Sequence, residues 1–399
     1  MPKRAWTPTR RSPPCSGFRC RCTAGRPTTG FENPDGQLTG GIQATGNYPG
    51  KARNIDEVRA DIEKAKSLIP GRHRLSLHAI YGDFKGKKVD RDQIEPEHFQ
   101  SWIDWARAND MKLDFNSTSF SHPKSGDLSL ANPDKAVRDF WVEHTVRSRR
   151  IADEMGRQLG SKACHNIWVH DGSKDLTVNR YYYRSLLRES LDRVFEHKCP
   201  NVKDAVECKL FGTGLESFTV GSHEFYMGYA VSRGLMATLD MGHFHPTEEV
   251  SDKISSMLLF SPEILLHVSR PVRWDSDHVV IFNDSVQMLA QEIVWAGALD
   301  RVNVGLDYFD ASINRIGAYV IGSRATQKAF LLAMLTPIGK LREYEAGGRY
   351  FERLALLEES KSMPWADVYN YFCMQNGVPA GGDYIADVEK YEREVTSKR

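Results

Sequence analysis

Short apolar runs alternate along this chain with longer segments whose apolar residues recur at helical spacing. Residues 54–68 (NIDEVRADIEKAKSL) have a polar first turn and apolar positions three and four apart, which predicts a helix. The following run at 74–80 (RLSLHAI) alternates between apolar and polar side chains, as a strand does. Continued in this way, the pattern predicts seven strands, at residues 74–80, 112–116, 165–169, 204–210, 235–240, 263–269 and 302–307.

Helices are predicted between these strands and after the last of them. Their ranges are 54–68, 96–109, 134–159, 181–196, 224–233, 247–259, 285–296, 325–340 and 344–359, followed by a helical tail. Alternation of strand and helix with short connections is typical of a parallel sheet with right-handed crossovers. A (β/α)₈ barrel needs eight strands. We therefore predict an α/β chain of the TIM-barrel class with a C-terminal helical extension, whose first strand is missing or altered before Arg74.

Residues 1–29 differ from the rest of the chain in composition. They contain seven basic residues, three of the seven cysteines and no acidic residue. Composition alone indicates disorder, and the competing interpretations are an Arg-rich targeting peptide, a basic nucleic-acid-binding arm and an altered reading frame. The predicted organisation is thus an anomalous segment at 1–29, a catalytic barrel at 30–325 and a helical region at 326–399.

Composition and charge narrow the class of protein. The chain has 399 residues, of which 41% are hydrophobic and 26% charged, as in soluble globular proteins. A net charge of +1 provides no overall attraction to nucleic acid or to anionic lipid. No apolar run reaches the roughly 18 residues of a membrane span, and the cysteines lack metal-type CxxC spacing. We expect a cytoplasmic protein with neither nucleic-acid nor membrane partners.

Polar and ionisable residues follow five consecutive predicted strands. In a parallel barrel these C-terminal strand ends form the face at which catalysis takes place. A buried carboxylate costs several kcal/mol unless it is paired or bound to a metal, so a repeated pattern of this kind favours a site over isolated core polar groups. The residues at these ends are Trp168 with His170 and Asp171, Glu207 with Lys209, Asp240 with His243, His267, and Asp307.

The densest group of candidate ligands lies between residues 239 and 278. Carboxylates mixed with imidazoles suit Mn²⁺, Co²⁺, Mg²⁺ or Zn²⁺, and the lack of thiolates disfavours soft metals. Two carboxylates as close as those of a D-x-D sequence repel each other unless a cation lies between them. The group comprises Asp240, His243, His245, His267, Asp275 and Asp277.

Glu207 and Lys209 are two positions apart on one predicted strand, so their side chains share a face. A charged lysine beside a metal-facing glutamate suits the orientation of a water molecule or a carbonyl oxygen. The alternative is a salt bridge inside the barrel.

Several long motifs resemble those of the L-rhamnose isomerases from about Gly30 to the C-terminus. They are TGGIQATGNYPGKARN, RLSLHAIYGD, VECKLFGTGLES, GSHEFYMGYAVSR, LDMGHFHPTEEVSDKISSMLL, LLHVSRPVRWDSDHVV and GLDYFDASINRIGAYVIGSR. The resemblance implies a xylose-isomerase-like (β/α)₈ barrel, a homotetramer and a sugar substrate. It also implies interconversion of L-rhamnose and L-rhamnulose with two divalent metals, commonly Mn²⁺ with Zn²⁺ or Co²⁺.

The same resemblance implies roles for individual residues. A structural metal (Mn²⁺, Zn²⁺ or Co²⁺) would be held by Glu207, Asp240, His267 and Asp307. The catalytic metal, Mn²⁺, would be held by His243, Asp275 and Asp277, with Lys209 orienting water and the sugar O1. Substrate contacts are implied for His78, Trp168, Glu207 and Asp307.

Two questions stay open on the sequence. Hydrogen transfer between C1 and C2 is either a 1,2-hydride shift, which the resemblance favours, or an enediol route with a carboxylate base. The alternatives to this activity are a related sugar isomerase, a poorly folded product of a damaged gene, and a phosphodiesterase or endonuclease on the same barrel type. The last of these requires more basic residues near the ligands.

The N-terminal segment departs from the family pattern. Relatives place the first strand just before GFENPDG, where this chain has RCRCTAGRPTT. A shifted reading frame over residues 22–29 could encode a sequence close to the family strand. We therefore predict a frameshift that spans about residues 1–29. It would leave an open seam between the second and eighth strands, whose unpaired edges would invite aggregation.

Overall fold

Eight parallel strands close into a barrel in the computed structural model, which describes residues 19–23, 48–209, 217–273, 275–308 and 311–399. The strands are β1 Arg19–Thr23, β2 Arg72–His78, β3 Lys112–Asn116, β4 Ala163–Ile167, β5 Val202–Glu207, β6 Met236–Asp240, β7 Ile264–Val268 and β8 Val302–Leu306. They follow one another around the barrel in chain order, and β1 pairs with both β2 and β8. The predicted (β/α)₈ fold is confirmed.

Each strand is followed by a helix, and four more helices complete the chain. The first eight are α1 Ile55–Lys66, α2 Gln100–Ala108, α3 Lys135–Leu159, α4 Arg180–Phe195, α5 His223–Arg233, α6 Ser251–Leu258, α7 Asp284–Trp295 and α8 Arg315–Leu335. The C-terminal four are α9 Ile338–Ala346, α10 Tyr350–Ser360, α11 Trp365–Gln375 and α12 Tyr384–Glu394. A pair of two-residue strands, Gly172–Ser173 and Phe218–Thr219, lies outside the barrel.

The expected open seam is wrong, because β1 fills it. Residues Arg19 to Thr23 align with Arg72 to Ser76 of β2, and Arg21 and Cys22 align with Gly305 and Leu306 of β8. Parallel pairing uses backbone groups, so an extended segment can complete the ladder even when its sequence is unusual. The rest of the segment 1–29 lies outside the described residues, and the reading-frame hypothesis stays a prediction that re-sequencing of the gene would test.

Alternation along each strand separates core side chains from site side chains. In β7, Ile264, Leu266 and Val268 join a buried apolar cluster that includes Leu289 and Ile293 of α7. The intervening His267 therefore faces the barrel interior, since successive side chains of a strand point to opposite sides.

Two buried ion pairs lie towards the N-terminal ends of the strands, one inside the barrel and one between β5 and α3. Arg74 binds Asp114 through two hydrogen bonds of 2.8 and 2.7 Å. Arg149 binds Asp204 in the same bidentate way, at 2.9 and 2.8 Å. These pairs occupy the end of the strands opposite to the candidate ligands, so the two ends of the barrel have different chemistry.

Helix α8 starts ten residues before the predicted helix at 325–340. Asn314 caps it by accepting a hydrogen bond from Gly317, and it ends before Pro337, which cannot continue a helix. The predicted boundary between residues 325 and 326 falls inside this helix. Within the described residues, no helix is both long and apolar enough to cross a membrane.

Candidate metal centre

Four side chains from four neighbouring strands meet at the C-terminal face of the barrel. Glu207 and Asp240 end β5 and β6, His267 lies in β7, and Asp307 follows β8 directly. One ligand atom from each lies within 4.8 Å of the others. His267 Nδ1 is 2.9 Å from Glu207 Oε1, 3.2 Å from Asp307 Oδ2 and 3.6 Å from Asp240 Oδ2. We call this group the first cluster; it contains the four residues that the resemblance assigns to the structural metal.

A second cluster adjoins the first and shares a carboxylate with it. Asp240, His243 and Asp275 also offer ligand atoms within 4.8 Å of one another. His243 Nε2 lies 3.1 Å from Asp275 Oδ2. Asp277 is half-buried beside this group, and its carboxyl donates a hydrogen bond to Asp275 when protonated. The structure thus brings His243 and Asp275 together, with Asp240 as a link between the two clusters, while Asp277 lies beside Asp275 and is not one of the three grouped ligands.

The backbone fixes the tautomer of His243. Its Nδ1 lies 2.6 Å from the carbonyl oxygen of Cys208. A carbonyl oxygen can only accept a hydrogen bond, so Nδ1 carries the proton and donates it. Nε2 is therefore left facing Asp275 with its lone pair, which is the arrangement of a metal-ligating imidazole.

A glycine allows the two clusters to approach each other. The Gly242 N–H donates to Asp240 Oδ1 at 2.6 Å. A Cβ at this position would lie 2.4 Å from Asp275 Oδ1 and 3.2 Å from Asp240 Oδ1. Sequence reasoning missed Gly242, although its place between Asp240 and His243 in LDMGHF was a usable signal.

Negative charge accumulates in the clusters beyond what the protein neutralises. Burial and the neighbouring carboxylates raise the pKa of Asp307 to about 7, despite the opposing effect of His267. Burial followed by repulsion from Asp275 likewise raises the pKa of Asp277 well above its usual range. Burial lowers the pKa of His267, but Glu207 and Asp307 outweigh it and raise that pKa well above the ordinary value.

The donor set fits a pair of divalent cations. Asp307 Oδ1 and Asp275 Oδ1 are buried atoms without a hydrogen-bond partner in the described part of the chain. With neutral imidazoles, the five carboxylates (Glu207, Asp240, Asp275, Asp277 and Asp307) and the ammonium of Lys209 leave four negative charges. Two divalent cations would balance this charge.

An aromatic wall borders the clusters on one side. The buried Lys209 Nζ lies 5.3 Å from the centroid of the Trp168 ring, within cation–π range. The Trp168 ring packs edge-on against Phe120 at 5.5 Å, and Phe120 packs against His78 at 6.2 Å. The predicted residues Lys209, Trp168 and His78 therefore lie along one surface. Sequence reasoning missed Phe120, which connects them.

His245 does not take part in either cluster. It is exposed, and its Nδ1 lies 2.7 Å from the Thr247 hydroxyl in its own loop. Its presence among the sequence candidates reflects proximity in the chain only.

Comparison with known proteins agrees with this geometry. The family model described as L-rhamnose isomerase matches residues 17–399 and therefore includes β1. An L-rhamnose isomerase from Bacteroides thetaiotaomicron is 66% identical over 378 residues, which cover 95% of this chain and 90% of that protein. One from Citrobacter koseri is 56% identical over 381 residues, covering 95% of this chain and 91% of that protein.

Among solved structures, the fold is similar to that of a protein from Anabaena variabilis assigned provisionally to the sugar phosphate isomerases/epimerases. The TM-score is 0.52 at 12% identity, and the match covers 79% of this chain and 99% of the other. At this identity the similarity supports the barrel fold alone.

Proposed function

Because the chain belongs to the L-rhamnose isomerase family, we propose that it interconverts the aldose L-rhamnose and the ketose L-rhamnulose at this face of the barrel. The main support for placing the reaction at this face is that both clusters lie together beside Lys209 and the aromatic wall. The family assignment replaces the phosphodiesterase alternative.

Glu207, Asp240, His267 and Asp307 would hold a structural divalent cation, which we propose to be Mn²⁺, Zn²⁺ or Co²⁺. His243, Asp275 and Asp277, with Asp240 shared between the clusters, would hold the catalytic Mn²⁺. When bound, these cations supply Lewis-acid polarisation of sugar oxygens and lower the pKa of a water molecule.

The protein's own residues bind and orient the open-chain sugar. The ammonium of Lys209 can donate a hydrogen bond to O1, and its burial strengthens that interaction by excluding water. Trp168 presents an apolar ring surface to the carbon chain, and His78 offers a ring nitrogen to O5 or the ring oxygen. Glu207 and Asp307 complete the substrate contacts implied by the family.

We propose a 1,2-hydride shift for the hydrogen transfer. In this route the hydrogen moves with its electron pair from C2 to C1 while the O2 hydroxyl proton passes to O1, so no side chain takes up a carbon-bound proton. An enediol route instead needs a carboxylate such as Asp277 as a base at C2. Reaction in D₂O separates the routes, since only the enediol route exchanges that hydrogen with solvent.

Isomerisation after metal removal tests the proposed function. We expect purified protein treated with EDTA to form no ketose from L-rhamnose, and added Mn²⁺ to restore activity. Failure of Mn²⁺, Co²⁺ and Zn²⁺ to restore ketose formation in folded protein would contradict the assignment.

We further propose a homotetramer in the cytoplasm, which sedimentation equilibrium and cell fractionation would test.

A further inference from the structure

A buried amide behind the first cluster contacts one of the candidate ligands. Asn166, in β4, donates a hydrogen bond from Nδ2 to Glu207 Oε2 on the adjacent strand. Its Oδ1 accepts from the Thr238 hydroxyl of β6 at 2.7 Å. All three side chains are almost fully buried, with 3% exposure for Glu207, 4% for Asn166 and 1% for Thr238.

Chemistry fixes every hydrogen in this chain of three residues. An ionised carboxylate only accepts hydrogen bonds, so the amide atom facing Glu207 must be the NH₂ group. The other amide atom is then the oxygen, and it faces Thr238. The Thr238 hydroxyl must therefore be the donor of that bond, which leaves a single consistent orientation for the amide.

The two oxygens of Glu207 are in different environments as a result. Oε2 is engaged by Asn166, while Oε1 lies 2.9 Å from His267 Nδ1 and 3.5 Å from His243 Nδ1. Oε1 is thus the oxygen that faces His267 and the first cluster. A neutral amide is suited to this place because it stabilises the carboxylate without adding a positive charge that would compete with a cation.

We propose that Asn166 is a positioning residue that holds Glu207 in a one-oxygen binding mode towards the first cluster, and that Thr238 sets the direction of the Asn166 amide. This inference rests on the proposed function in one respect, namely that the clusters bind divalent cations. It assigns no contact with the sugar to either residue.

The neighbouring strand provides a matched control. Asn116 of β3 is the backbone partner of Asn166 and is equally buried, at 4% exposure. Its Nδ2 donates to the Ser76 hydroxyl at 2.8 Å, and not to a cluster carboxylate. Substitution of Asn116 therefore removes a buried amide of the same kind without releasing Glu207.

The test measures binding of Mn²⁺ alone to the metal-free protein by titration calorimetry. We expect Asn166→Ala and Thr238→Val to weaken the tighter Mn²⁺ step about 10- to 100-fold, as loss of an outer-shell partner typically does. Thr238→Ser should restore wild-type affinity because it keeps the hydroxyl donor. Asn116→Ala should bind Mn²⁺ as the wild type does.

Three outcomes would overturn the proposal: wild-type affinity in both Asn166→Ala and Thr238→Val, equal weakening in Asn116→Ala, or no rescue by Thr238→Ser. Absence of Mn²⁺ binding to folded wild-type protein would overturn it as well. Normal Mn²⁺ binding without conversion of L-rhamnose would instead refute the proposed function and leave this inference supported, so the two failures are distinguishable.

Discussion

At the scale of single residues, the spacing between the clusters depends on the absence of one side chain. Substitution Gly242→Ala would place a Cβ 2.4 Å from Asp275 Oδ1, and Asp275 would have to move away from His243. Because a displacement near 1 Å can cost about 100-fold in rate, we expect kcat/KM with L-rhamnose to fall by about this factor.

The control for this variant is Gly339→Ala in α9, where an added Cβ meets nothing within 4 Å. It should retain wild-type kcat/KM. Wild-type kinetics in Gly242→Ala would show that Asp275 is not held where the structure places it.

Crowded negative charge predicts opposite effects on stability and on metal binding at Asp307. Burial and neighbouring carboxylates already disfavour its ionised form. The neutral isostere in Asp307→Asn should therefore leave the metal-free melting temperature unchanged or raise it. Mn²⁺ should no longer increase that temperature as it does in the wild type. Scanning calorimetry with and without Mn²⁺ measures both effects, and a marked loss of metal-free stability would contradict the charge argument.

The sequence allowed the ligands to be predicted, but not the residues that support them. Glu207, Asp240 and His267 could be identified because strand ends in a parallel barrel share a face. Asn166 and Gly242 act through distances between separate strands and loops, and such distances follow from strand register, which a single sequence does not determine.

At the scale of elements, α3 carries a buried histidine that makes stability depend on pH. His144 Nε2 accepts from the Thr118 N–H at 2.9 Å, and Nδ1 donates to the Arg91 carbonyl at 2.9 Å. Burial, reinforced by the positive charge of Arg91, lowers the pKa of His144 to about 3. Both ring nitrogens are used in the neutral form, so protonation would break the bond from Thr118.

The direction in which stability changes with pH follows from this lowered pKa. The unfolded chain takes up the proton near pH 6.5 while the folded protein does not, so the stability contribution is complete above pH 6.5. It is lost as the pH falls from 6.5 towards 3. Between pH 7 and pH 4.5 the loss should be on the order of 2–3 kcal/mol.

Urea unfolding of metal-free protein at both pH values measures this effect. His144→Asn should show a smaller decrease in unfolding free energy than the wild type, by about the stated amount. His245→Asn removes an exposed imidazole and should keep the wild-type decrease. Equal pH dependence in the wild type and His144→Asn would contradict the assignment.

Element boundaries show where sequence periodicity fails. The strand at 112–116 was predicted to the residue, and the other strands lie within about three residues of their predicted ends. The start of α8 was predicted too late in the sequence because the helix is buried on several sides, among them against α1, α7 and the C-terminal helices. Its apolar residues therefore occur all around it. A helix of that kind lacks the one-sided stripe from which helices are recognised.

At the scale of the whole molecule, the end of the chain is joined to the first barrel helix. The Arg399 guanidinium binds the Asp61 carboxylate of α1 at 2.7 and 2.8 Å, and the Tyr391 hydroxyl donates to the same carboxylate at 2.8 Å. Both charged side chains are buried. Asp61→Asn should therefore cost up to about 3 kcal/mol of unfolding free energy, because the buried guanidinium then keeps only the more distant Glu57 carboxylate, 3.7 Å from its Nε.

A more accessible ion pair between α1 and α12 serves as a control. Lys64 Nζ and Asp387 Oδ1 are 3.5 Å apart, and the two side chains are 21% and 43% exposed. Lys64→Gln should cost less than about 1 kcal/mol. Denaturant unfolding of both variants tests the comparison. Equal losses of unfolding free energy would contradict a special role for the buried contact between Asp61 and Arg399.

Closure of the barrel was the part of the whole fold that sequence reasoning could not supply. Seven strands could be predicted from their alternation and from the helices between them. β1 could not, because RCRCT has no apolar run, and two cysteines between arginines are a weak signal for a core strand. The pairing of β1 with β2 and β8 depends on backbone geometry that becomes available only when the other strands are in place.

Asp240 belongs to both groups of ligands, so two bound ions would draw on the electrons of one anion. Once the first cation is bound, the Asp240 carboxylate is a weaker ligand for the second. The two affinities should therefore differ even if the other ligands were equivalent. Titration with a single divalent cation should then give two unequal binding steps. A substitution in one cluster should also alter the affinity of the other cluster.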